Sequence, residues 1–99
     1  MPIREKKPAM TAAVAEILAI QVLGHLASEE ARLGRFLALT GLAAGDIRAM
    51  AAERGFLAAV LDHVLGDEPL LLQTAEALNV QPAEIMRAGD LLSGRPATA

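Results

Sequence analysis

The hydrophobic positions recur mostly at helical spacing and fall into six blocks separated by Gly, Pro, Asp, Asn or Ser. The first block predicts a helix from about Thr11, as N-cap, to Ala27. Val14, Leu18, Val22 and Leu26 form one stripe along it, and Ile17, Ile20 and Leu23 form a second on the opposite side. A helix that is apolar on two sides is either central to its bundle or partly covered by another chain. Gly24 offers a place for a neighbour to approach closely.

The second helix is expected to start at a Ser28 cap, with Glu29 and Glu30 in a first turn where negative charge complements the helix dipole. Leu33, Phe36 and Leu37 then face the core, while Ala31, Gly34 and Ala38 make a smooth side suited to close packing. Thr40 and Gly41 end this helix, Gly41 supplying the left-handed position. A third helix is predicted from about Ala44 to Arg54, closed by Gly55. Leu42 and Ile47 have hydrophobic-staple spacing and Asp46 falls at N3, although Ala43 is a poor cap.

The stretch from Gly55 to Leu72 carries the cleanest pattern. Phe56, Leu57, Val60, Leu61, Val64 and Leu65 occupy one half of a helical wheel, and Ala58, Ala59, Asp62 and His63 the other. Gly66 breaks the helix, Asp67 caps the next, and Pro69 sits in a first turn where its missing N–H does no harm. That fifth helix runs to about Leu78 and stops at Asn79. The sixth runs from Pro82 to Leu92 and repeats the earlier device, with Val80 and Ile85 at staple spacing and Glu84 at N3. The matching segments Leu42–Ile47 and Val80–Ile85 read as reuse of a helical hairpin.

The pattern therefore predicts an all-α fold, a compact bundle of five to six short helices joined by helical-hairpin, helix-turn-helix-like connections. Residues 11–92 form its single domain, because two cores would each be too small in 99 residues. Residues 1–10, with Pro2 and Pro8, read as a flexible lead-in, and residues 93–99, with Gly94 and Pro96, as a flexible tail.

Composition narrows the chemistry. Hydrophobic residues make up 54% of the chain, yet nearly all are aliphatic, with two Phe and no Trp or Tyr; short side chains of this kind let helices pack closely. A net charge of −3 argues against a broad electrostatic footprint for nucleic acid. The absence of cysteine removes disulfides, thiolate catalysis and cysteine-ligated metal, and fits a cytoplasmic protein. Arg4, Lys6 and Lys7 precede an apolar run as they do in signal peptides, but Glu16, Gln21 and His25 interrupt it, so neither export nor membrane insertion is expected.

Three ordered blocks carry a resemblance: GRFLALTGL (Gly34 to Leu42), DIRAMA (Asp46 to Ala51) and GFLAAVLDHVLGDEPLL (Gly55 to Leu71). From about Ala19 to Leu92 the chain resembles a small bacterial family catalogued as domain of unknown function 3572. The resemblance implies an all-helical cytoplasmic protein and brings no activity, cofactor or substrate. That family often has Asp-Pro where this chain has Ala43-Ala44, which implies a less firmly started third helix.

Among candidate sites, Leu72 to Gly89 has the packing pattern of a DNA-binding helix-turn-helix, with Ala75, Val80 and Ile85 at its core positions and Asn79 at the turn. Its exposed side offers only Gln81 and Arg87 to bases and phosphates, while Glu84 repels phosphate. His63 and Asp67 are four residues apart and, with Asp62, Glu68 or His25, supply metal-ligand chemistry but no recognised ligand spacing. No metal and no cofactor is therefore expected, and the simpler reading makes both histidines boundary residues of the core. Arg32 and Arg35 lie on one side of the second helix and suit an anion or a carboxylate, or else a solvated face paired with Glu29.

No phosphate-binding glycine loop, Ser/His/Asp set or close acidic pair is evident, so an enzyme is not expected. The leading expectation is a helical protein–protein interaction module that pairs with itself or receives a partner helix through Ile17, Ile20 and Leu23, with Arg32 and Arg35 as the next surface. A DNA-binding protein using Gln81 and Arg87 ranks second, and a small-ligand or metal-binding domain third.

Overall fold

The computed structural model describes residues 10–94. Its helices, in chain order, are α1 (Ala12–Ala27), α2 (Glu30–Thr40), α3 (Asp46–Met50), α4 (Arg54–Leu65), α5 (Glu68–Leu78) and α6 (Pro82–Ser93), with no strand among the described residues. The fold is thus the all-α bundle of short helices that the hydrophobic spacing predicts.

Its centre is the mutual packing of α1, α4 and α6. From α4 come Phe56, Leu57, Val60, Leu61 and Val64; from α1 Leu18, Val22, Leu23 and Leu26; from α6 Ile85 and Leu92, all buried. Ala15, Ala19 and Ala88 are buried at 0% exposure between these larger side chains, where a longer residue would force the helices apart. Helix α5 lies against α4, with further contacts to α1 and α6, and α2 packs on α1.

The breaks between helices use local chemistry. Thr11 is extended and its Oγ1 accepts the Val14 N–H at 3.2 Å, satisfying one of the free donors at the start of α1. Asp67 does the same for α5, its Oδ1 accepting from the Leu70 N–H at 3.2 Å, with Pro69 in the first turn. Asn79 closes α5 at φ 57°, a left-handed conformation that Asn tolerates better than most side chains, and the Val80 N–H then donates to the Ala75 carbonyl at 3.0 Å. The Asp46 carboxylate accepts from the Ala43 N–H at 3.2 Å, while Leu42 and Ile47 both pack against the core margin. With Gly45 as N-cap, Asp46 is the first residue of α3 and not the third, so this bond closes the turn before the helix and the expected capping box is not formed.

Several sequence expectations are corrected. Ser28 closes α1 instead of starting α2: its hydroxyl donates to the His25 carbonyl at 2.7 Å, and Glu29 takes the N-cap position of α2 without a side-chain bond. Helix α3 is one short turn-and-a-half instead of a segment from Ala44 to Arg54, because Gly45 precedes it and Ala43 gives no side-chain cap. Gly55 does not close α3 but lies in the first turn of α4, which starts at Arg54. The expected close-packing positions Gly24, Ala31, Gly34 and Ala38 are all exposed, and nothing lies within 4 Å of where a Cβ would stand on Gly24 or Gly34. Helix α6 continues one residue beyond Leu92, to Ser93, and Gly94 follows at φ 74°. Apart from Met10, Ser93 and Gly94, the expected lead-in and tail lie outside the described residues.

Candidate functional site

Helix α1 presents two faces of different fate. Of the second stripe, Leu23 is buried in the core at 7% exposure, so it is not a surface residue, whereas Ile17 and Ile20 are 58% and 48% exposed. The reason is angular: Leu23 lies close to the Ala19 and Leu26 directions of the helix, and Ile17 and Ile20 lie beyond them. Ala13, Ile17, Ile20, Gly24 and Ala27, spaced by four, three, four and three residues, are all exposed. That is the interval of a two-helix seam, running about 21 Å at 1.5 Å per residue. No charged residue falls in the stripe. Glu16 stands at its margin and is turned toward α4, where its Oε2 accepts from Arg54 Nε and Nη2, both at 3.1 Å.

A second assembly forms around α2. Arg32 and Arg35 line a recess of about 180 Å³ together with His63 from the end of α4, Asp67 from the α4–α5 break, and Pro69, Leu70 and Gln73 from α5. The structure thus brings together the Arg32/Arg35 pair and the His63/Asp67 pair, which sequence spacing keeps apart. Glu29 holds Arg32 at 3.0 Å. Arg35 is exposed and has no ion-pair partner among the described residues. His63 packs edge-on against Phe36, ring centroids 5.1 Å apart, and Phe36 also meets Phe56 edge-on at 6.1 Å.

Burial lowers the His63 pKa below the ordinary imidazole value, the nearby Arg35 lowers it further, and Asp67 partly opposes both. His25, near the end of α1, is lowered by burial and Arg32 and raised by Glu29. It lines a neighbouring shallow recess that shares Arg32 and Gln73 with the first. Its Nε2 and the Thr74 hydroxyl are buried without a hydrogen-bond partner among the described residues. Gln73 is the lining residue that periodicity does not single out, because a lone polar residue on an exposed helix face carries no pattern.

The α5–α6 hairpin has Ala75 and Ile85 buried and Val80 half-buried around the Asn79 turn. Gln81 and Arg87 are both exposed. Six positions apart, they point about 120° away from one another around the helix, with the exposed Met86 beside Arg87. No group of three or more His, Asp or Glu side chains that would hold a metal ion occurs among the described residues. No single helix there is long and apolar enough to cross a membrane; α1 and α2 pass that test only as a pair bent by 115°.

Over residues 12–95 the chain matches the family described as Protein of unknown function (DUF3572), and it belongs to that family. No curated protein and no solved structure matches it.

Proposed function

We propose that this member of the DUF3572 family is a non-enzymatic, cytoplasmic interaction module that pairs with a second copy of itself through the outward face of α1. The observation that carries this reading is the pair of exposed isoleucines, Ile17 and Ile20, within an uncharged stripe at seam spacing. The stripe is self-complementary. Two α1 helices running antiparallel about a two-fold axis near Ile20 place the two Ile20 side chains together, Ile17 of one copy opposite Gly24 of the other, and Ala13 opposite Ala27 at the ends. A partner with a different sequence has no such built-in match.

The pairing is weak. Fully burying an isoleucine contributes about 1.5 to 3 kcal/mol, and association costs at least about 4 kcal/mol in lost freedom. A seam of about 21 Å also covers well under the roughly 800 Å² per partner of a standard interface. Sedimentation velocity from the high-micromolar to the millimolar range should therefore show reversible dimerisation. Ile17→Glu with Ile20→Glu should leave a folded monomer, since both positions are already exposed. A Cβ on Gly24 meets nothing within 4 Å in its own chain, and Gly24→Gln gains helix propensity, yet it faces Ile17 across the proposed seam and should also weaken the dimer. A wild-type protein that stays monomeric throughout overturns the proposal.

The DNA-binding reading stands behind it. The left-handed Asn79 turn supports the hairpin geometry, but Arg87 is the one basic side chain on α6. Mobility shift at two salt concentrations, with Arg87→Ala as the control, tests that alternative.

A further inference from the structure

We propose that the recess between α2, α4 and α5 binds a small oxyanion, a carboxylate or phosphate group, clamped by Arg32 and Arg35 with His63 and Gln73 at its sides. Four features converge on this reading. The guanidinium groups come from one helix at a spacing that puts both on the same side, and a planar five-donor group matches a carboxylate in two parallel hydrogen bonds. Arg32 is held by Glu29 at 3.0 Å, which costs part of its donor set and fixes its direction. Arg35 is exposed, has no ion-pair partner among the described residues, and turns its donors to water, which an incoming anion displaces.

The third feature is concavity. The recess is lined by Leu70 and Pro69 and by polar groups from three elements, and it is shallower and smaller than the pockets that enclose drug-sized ligands. At about 180 Å³ it suits a ligand of a few heavy atoms. The fourth is the fixed imidazole. His63 is braced by Phe36 and lowered in pKa by burial and by Arg35, so at neutral pH it offers a neutral ring N–H beside the arginines instead of a competing charge. Gln73 adds an amide donor. Asp67 on the same rim repels any anion and the two arginines attract it, both in proportion to its charge, so the recess is an oxyanion site for which carboxylate and phosphate are the two candidate sources. Asp67 is also held in place by its bond to the Leu70 N–H, so it does not swing in to neutralise Arg35.

The site does not depend on α1 pairing, and its test is separable from that reading. Sodium acetate, the head group alone, is titrated into the full chain at constant ionic strength with chloride as the balancing anion, following the His63 ring resonances by NMR. A saturable shift is expected, accompanied by a rise in the His63 pKa, because bound carboxylate offsets the field of Arg35. Arg35→Lys should weaken binding about tenfold or more by losing the bidentate fork, while Arg87→Ala and the Ile17→Glu/Ile20→Glu protein should bind as wild type does. Phosphate is titrated in the same way, and whichever anion saturates at the lower concentration identifies the source; shifts that stay linear in both anions, or an Arg35→Lys titration superimposable on wild type, would each overturn the proposal.

Discussion

Helices α2 and α4 are nearly the same length, 11 and 12 residues, yet α4 buries six side chains and α2 buries one, Phe36. Helix α4 sits between α1, α5 and α6, so a wide arc of its surface is covered. Helix α2 rests on α1 and leaves Ala31, Gly34, Ala38 and Leu39 exposed, with Leu39 at 66%. The difference separates two jobs within one small chain. The α1–α4–α6 centre carries the folding free energy, and the α2–α3 segment is a lightly anchored arm whose arginines are left to face the recess. Phe36 is the anchor, since its ring reaches both Phe56 and His63.

The largest expected effect tests that division directly. Phe36→Ala should cost about 3 to 5 kcal/mol for the part of the molecule it holds. Native-state hydrogen exchange should place that loss in the amides of α2 and α3, with α4 and α6 retaining most of their protection. Leu61→Ala, in the centre, should cost about 2 to 5 kcal/mol and lower protection in α1, α4 and α6 together. If Phe36→Ala depresses α6 as much as α2, the chain is one cooperative unit and the comparison fails.

A smaller effect compares the helix starts of the two regions. Asp67→Ala removes a side-chain cap from α5 and should cost about 1 kcal/mol by chemical denaturation. Glu29→Ala at the start of α2 removes no cap bond and only an exposed i, i+3 ion pair, worth at most about 1 kcal/mol and often less. Equal losses at the two sites would mean that α2 is held as firmly as α5.

The smallest effect is a pH slope. His25 and His63 both have folded-state pKa values below the ordinary value of about 6.5. Between the folded value and that one, the unfolded chain binds more protons, so stability is fully present above about pH 6.5 and falls as the pH drops through the folded values. His63→Gln should flatten the slope in this window, and the remaining slope should belong to His25, which Arg32 and Glu29 influence in opposite senses. A stability curve that rises on acidification from pH 7 would show that His25 and His63 are not buried in solution as they are in the structure.

What the sequence determined on its own is what a few neighbouring residues decide. Thr11, Asp67 and Asn79 bond to backbone groups three or four positions away, and most of the apolar half of α4 is set by its own period, the buried Ala58 and half-buried Leu65 excepted, so these are legible without knowing the fold. Local rules failed where two local roles competed. Ser28 is placed equally well to close one helix or to open the next, and Gly55 to end α3 or to enter α4; the direction in which the following chain packs made the choice. Tertiary structure alone decided which side of α1 is covered. Periodicity finds both stripes on that helix, but the positions of α4 and α6 draw Leu23 inward and leave Ile17 and Ile20 in solvent. It alone decided the recess as well: Arg32, Arg35, His63 and Gln73 are separated by up to about forty residues and meet only because α2 and α5 flank the end of α4. Contacts of that range are set by the packing of whole helices, which no window along the chain records.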